Sequence, residues 1–159
     1  MNEILRISNR RRMHMKLPQY ITIDEVKRVC KELKISDWSS IRDYKVTTKE
    51  AKIILSKVNT EKMSIPLEAF RRGLEVELEH GTRFKDANVT NNHPLLTGKI
   101  VMAHLKEMMD YYERLEVAEL EGDIFKAVKA GNFEKVKKYF KRLVKAKIDL
   151  SALESLNMK

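Results

Sequence analysis

Apolar residues spaced three and four apart recur along this chain, and most of these runs are entered by a residue able to cap a helix. That pattern constrains the fold more than anything else in the sequence. Thr22 stands three residues before Glu25, the capping-box spacing, and Val26, Val29, Cys30 and Leu33 follow, so a helix is predicted over 23–34. Thr47 and Glu50 repeat the signature before Ala51, Ile54, Leu55 and Val58. Pro66 opens a third helix and Gly81 is read as its C′ stop, with Leu67, Phe70, Leu74 and Leu78 as its stripe. A fourth is predicted from about Thr97 to Glu121, where Val101, Leu105, Met108, Tyr112 and Leu115 form a 4-3-4-3 seam meant for another helix. Only 5 Gly and 3 Pro punctuate 159 residues, too few for the turns of an all-β fold. The expected class is all-α, a small helical bundle.

Charge divides the chain differently. Residues 1–20 carry five basic groups, among them Arg10, Arg11 and Arg12, against Glu3 alone, and residues 123–159 carry ten basic groups against four acidic. The net charge is +9, so the intervening 102 residues sum to −1. The expected organisation is a basic arm over 1–20, a central helical domain over 21–122 and a basic helical hairpin over 123–159. Pro18 keeps the arm from forming a clean helix. In the hairpin, a short helix ends at Gly131. Asn132 caps a second, with Phe133, Val136, Phe140, Leu143 and Val144 on one face, and Asp149 caps a final turn. Lys137, Lys138, Lys141 and Lys145 stand opposite that face. Basic ends on a neutral centre point to an anionic partner, nucleic acid or an acidic protein surface, in a homo-oligomer or larger assembly.

No apolar run reaches the roughly 18 residues of a membrane span, and the basic N-terminus lacks a signal peptide's apolar segment. The single cysteine, Cys30, cannot form an internal disulfide. No membrane partner and no secretion are expected, and the expected location is the cytoplasm or a virion. Cys30 is read as a packed core thiol, and Trp38 as packing back on the domain. Residues 82–96 are read as a self-bonded polar loop, with His93 at its surface.

One constellation in the centre could carry chemistry. Glu77 and His80 are three apart on one predicted helix, and His104 and Glu107 three apart on the next. Such pairs share a helix face, and two facing helices could bring all four onto iron, manganese or zinc. Tyr111, one turn beyond Glu107, would then hydrogen-bond a ligand carboxylate. The other reading is a polar cluster bonded across the helix pair without metal. No nucleophile stands beside the glutamates, and the leaning is towards a protein that is not an enzyme and carries no cofactor.

Residues 69–115, with Glu77 to Gly81, Asn88 to Thr90, Gly98 to Ile100, Ala103 to Glu107 and the Tyr111–Tyr112 pair, resemble a domain-of-unknown-function family of bacterial and phage genomes. That family often has proline before its Asp-Tyr-Tyr, where this chain has Met109. The resemblance implies that the Glu/His positions belong to a recurring motif, and it implies no activity. Two functions follow. One is a non-enzymatic interaction or structural protein whose basic ends engage nucleic acid or a larger, phage or viral, assembly. The alternative is a metal-binding domain or metalloenzyme built on Glu77, His80, His104 and Glu107.

Overall fold

The computed structural model describes residues 21–158, so the basic arm with Arg10, Arg11 and Arg12 lies outside the described residues. Among those described there are six α-helices and no strand. They are α1 (Ile23–Leu33), α2 (Thr48–Val58), α3 (Leu67–Arg83), α4 (Pro94–Glu107), α5 (Tyr111–Lys129) and α6 (Phe133–Asn157), with one 3-10 turn at Trp38–Ser40. The fold is all-α, a small helical bundle.

The two capped starts form as the spacing requires. The Thr22 hydroxyl accepts the Glu25 N–H at 3.1 Å. At α2 both halves of the capping box are made: Thr47 Oγ1 accepts the Glu50 N–H, and the Glu50 carboxylate accepts the Thr47 N–H at 2.9 Å. Glu50 does more. It is nearly buried and also accepts from the Ser36 N–H and hydroxyl, so one carboxylate fastens the α1–α2 connection to the start of α2. Burial alone would raise its pKa, but the hydrogen bonds from Ser36 and Thr47 outweigh burial and hold it below the ordinary value.

Helices α2, α3 and α4 pack together around Ile54, Phe70, Leu74, Leu78 and Val101, all fully buried, and α1 closes one side with Val26 and Cys30. Trp38 is fully buried in the same core, and its backbone N–H donates to Cys30 Sγ at 3.5 Å. Cys30 is the packed thiol expected, and burial raises its pKa. Close approach is set by glycine. A Cβ on Gly98 would lie 2.7 Å from Ile54 Cγ2, so α4 can lie this near α2 only without one.

Besides the start of α4, three helix boundaries depart from expectation. First, α3 continues through Gly81 to Arg83. Gly81 is not a C′ residue; a Cβ there would lie 2.3 Å from Asn92 Oδ1 and 2.9 Å from Asn88 Nδ2, so its role is to admit the loop against the helix. Second, the predicted helix over 97–121 is two helices. The chain breaks at Met108, which is extended (φ −150°, ψ 129°), and α5 begins afresh at Tyr111. Third, α5 runs unbroken through Gly122 to Lys129, and the chain reverses at Gly131, with φ +65°. α6 then continues to Asn157, so Asp149 is no cap; its carboxylate pairs with Lys145 at 2.8 Å within the helix. Asn132 caps α6 as expected, accepting the Lys135 N–H at 3.0 Å.

Helices α5 and α6 form an antiparallel hairpin with a small core of its own, Leu120, Leu143 and Ala146, flanked by Val117, Ile124 and Tyr139. Its base is tied down by ion pairs. Arg72 of α3 donates to Glu113 and Glu116 of α5, and Arg114 of α5 bridges Asp110 and Glu154 of α6. No helix of the described residues is long and apolar enough to cross a membrane.

Candidate functional site

Gly73 and Glu77 stand one turn apart on α3, and the ring of Tyr112 lies along that turn. A Cβ on Gly73 would sit 2.5 Å from both Tyr112 Cε2 and Val101 Cγ1, so the phenol rests directly on the helix backbone. Its hydroxyl then reaches Glu77, donating to Oε1 at 3.0 Å. Burial, reinforced by the neighbouring Glu77 charge, pushes the Tyr112 pKa far above its ordinary value, so the phenol remains a donor. His104 of α4 faces the same carboxylate, Nε2 to Oε1 3.6 Å, an ion pair whenever the imidazole is protonated. Tyr111 stacks on His104 with centroids 4.1 Å apart and planes 11° apart, and Tyr112 meets the imidazole edge-on. One carboxylate therefore gathers α3, α4 and α5.

The four residues proposed as metal ligands are not gathered. Glu77 and His104 meet, but His80 turns to Glu119 of α5, Nε2 to Oε1 3.6 Å, and Glu107 is exposed without an ion pair among the described residues. Among the described residues no group of three or more His, Cys, Asp or Glu side chains is disposed to hold a metal ion. The tyrosine roles are also exchanged: Tyr112 bonds the carboxylate, and Tyr111 stacks on the imidazole. The cause is the break at Met108. A continuous helix would have put Tyr111 one turn beyond Glu107, whereas the restart at Asp110 turns both rings back over α3 and α4. The Asp110-x-x-Glu113 spacing at that restart is a helix-start signal and could have revealed it.

Beside Glu77, a cleft of about 200 Å³ opens between α3 and the loop, lined by His80, Phe84, Val89, Thr97 and Ile100 among others. The loop is self-bonded, as expected. Asn88 Nδ2 donates to Gly81 O (3.0 Å) and Asn92 Oδ1 (2.8 Å), Thr90 Oγ1 donates to Asn88 Oδ1, and Asn91 Nδ2 donates to Ile21 O. His93 is buried rather than exposed. Burial lowers its pKa, and the neutral ring accepts the Leu96 N–H at Nδ1, capping α4 three residues earlier than predicted.

On the hairpin, Lys137, Lys138, Lys141 and Lys145 are exposed on α6, and Lys145 alone of these is paired. The apolar face expected of α6 is split. Leu143 packs against α5 with Ala146 and Tyr139, whereas Phe133, Phe140 and Val144, a fraction of a turn away, stand in solvent. Seven of the eight carboxylates of α5 and α6 are already engaged: Glu113 and Glu116 with Arg72, Glu119 with His80, Glu121 with Lys147, Asp123 with Lys126, Asp149 with Lys145 and Glu154 with Arg114. Lys129, Lys135, Lys137, Lys138 and Lys141 have no carboxylate within 4.0 Å among the described residues.

Residues 26–121 match the profile of the family described as "Protein of unknown function (DUF5661)". No curated protein and no solved structure matches the chain. The matched span holds Glu77, Gly81, the Asn88 loop, His104 and both tyrosines, and stops before the hairpin reverses. Covering more than half of the sequence, the match makes this chain a member of the DUF5661 family.

Proposed function

We propose that this protein is a non-enzymatic interaction module in which the helical core is the scaffold and the basic α5–α6 hairpin is the working surface. Its partner is anionic, a nucleic acid or an acidic protein surface, within a larger assembly of the kind phages and viruses build. The observation that carries the proposal is the set of unpaired lysines on the hairpin. Five of its lysines have no carboxylate within 4.0 Å among the described residues, while seven of the eight acids of α5 and α6 are already engaged. An uncompensated cationic face draws polyanions over a range of several ångströms and releases their counterions on contact. The motif residues of the core support the same division of labour. Glu77, Gly81, Asn88, His104 and Tyr112 each have a neighbour in the fold that accounts for the residue type.

The test is fluorescence anisotropy of two labelled polyanions, a short DNA duplex and polyglutamate, titrated with the protein over a salt series. Binding of at least one, weakening steeply as salt rises, is expected. Indifference to salt, or no binding of either, refutes the proposal. The contact between Glu77 and His104 keeps a metal-binding reading in view, since these two could be half of a ligand set. Stoichiometric iron, manganese or zinc in the purified protein, absent from a Glu77→Ala/His104→Ala variant, would establish it.

A further inference from the structure

The basic hairpin also carries an apolar face that the fold leaves uncovered. Glu121 and Lys147 meet across α5 and α6 at 2.7 Å and mark one side of the hairpin. Phe125 and Val128 follow Glu121 at helical spacing on α5, and Phe140 and Val144 precede Lys147 at helical spacing on α6, so the four border the same side. They are 71%, 55%, 57% and 46% exposed. Phe140, Val144 and Ile148 step by four residues, which is the ridge that one helix offers to the grooves of another. Lys129 edges this face on α5, and Lys137 and Lys141 edge it on α6.

From this geometry we infer that the hairpin face bordered by Phe125, Val128, Phe140 and Val144 docks an acidic amphipathic helix of a partner protein. The inference rests on the reading of the hairpin as the working surface and names the class of partner. Charge decides between occupants. The same face of a second copy would bring its own Lys129, Lys137 and Lys141, and the chain's own first twenty residues bring five basic groups against one acidic. Both would set like charges on Lys129, Lys137 and Lys141. A helix with an apolar stripe and acidic flanks covers the ridge and answers the lysines together. Nucleic acid would answer the lysines and leave the phenylalanines in water. An anionic bilayer would answer both, but has no grooves for an i, i+4 ridge.

The experiment uses the full chain and a labelled peptide of about twenty residues, with leucine at i, i+3, i+4 and i+7 positions and glutamate elsewhere. The comparisons are a scrambled peptide of the same composition, a DNA duplex and phosphatidylserine vesicles. The amphipathic peptide is expected to bind about tenfold or more tightly than its scramble. Binding should weaken about tenfold or more both in Phe125→Ser/Phe140→Ser and in Lys129→Glu/Lys137→Glu/Lys141→Glu. All five positions are exposed, so the variants should keep the parent's helical circular dichroism, and Val144→Ser gives an independent check. Equal binding of the scramble, or an unaffected serine variant, overturns the inference. So does capture of vesicles but not of the peptide. DNA binding that needs the lysines and ignores the phenylalanines overturns the inference while the proposed function stands. No binding of the peptide overturns the inference, and no binding of peptide, DNA or polyglutamate overturns both.

Discussion

Gly73→Ala should destabilise this protein although it replaces glycine with the best helix former in the middle of a helix. In an open helical position the exchange stabilises by about 1 kcal/mol. At Gly73 the new methyl would stand 2.5 Å from Tyr112 Cε2 and 2.5 Å from Val101 Cγ1. Carbon pairs settle near 3.5–4.0 Å, so about 1 Å must be found on two sides at once. Neither neighbour can yield freely, since Tyr112 is 2% exposed and Val101 is fully buried. Overpacking of this kind costs about 1–3 kcal/mol. Moving the Tyr112 ring also withdraws its hydroxyl from Glu77, leaving a largely buried carboxylate without its donor, a further cost of about 1.5–3 kcal/mol. The net loss is about 3 kcal/mol, or about 6–12 °C in Tm for a chain of this length. Gly122→Ala is the internal control. It is also mid-helix, with nothing within 4 Å of the added methyl, and should gain about 1 kcal/mol. Urea unfolding followed by helical circular dichroism measures both. If Gly73→Ala is as stable as Gly122→Ala, the close packing of α5 on α3 described above is wrong.

Three further outcomes follow from the same contacts. Gly81→Ala should cost about 1–2 kcal/mol in urea unfolding, because the methyl displaces Asn92 and Asn88 and breaks the hydrogen bonds that hold the loop on α3. Glu50→Ala should cost about 3 kcal/mol, leaving the Ser36 and Thr47 N–H groups without their acceptor; since the folded pKa of Glu50 is lowered, its contribution is present above about pH 4.5 and lost as pH falls through the folded value, so Glu50→Gln should flatten the acid limb. His93 has a lowered folded pKa, so its contribution is present above about pH 6.5 and lost as pH falls through the folded value; His93→Asn, which retains a cap acceptor, should lose less stability on acidification than the parent.

The parts of this fold that were legible in the sequence are those decided within one helical turn. The Thr22 and Thr47 caps and the Asn132 cap each involve partners three residues apart, and each forms as read. Gly81 misleads because a glycine near a helix end has two uses, a left-handed stop or room for a neighbour, and only the position of Asn88 and Asn92 distinguishes them. The seam from Val101 to Leu115 hides the break at Met108, since apolar spacing can stay in phase across an interruption; Met108 itself is 40% exposed. From that one miss follow the exchanged tyrosines and the partner of His80, because both depend on the direction in which α5 departs. Of the candidate site, the meeting of Glu77 with His104 was legible, since paired side chains on adjacent helices converge from either reading of the break. On α6 the lysines were legible as a surface, but not the exposure of Phe133 and Phe140. A broad apolar arc does not say which of its edges the neighbouring helix covers.

The division between scaffold and working surface is tested most directly by comparing two variants for binding to a polyanion that the parent retains at low salt. One replaces Lys129, Lys135, Lys137, Lys138 and Lys141 with glutamine; the other carries Glu77→Gln and His104→Gln in the core. The account predicts that the hairpin variant loses binding and much of its salt dependence, by about 0.9 in the log–log slope per lysine that contacts a phosphate if the polyanion is DNA. The core variant should bind as the parent does while unfolding at lower urea. Binding retained by the hairpin variant and lost by a folded core variant would contradict the account and return the function to the Glu77–His104 site.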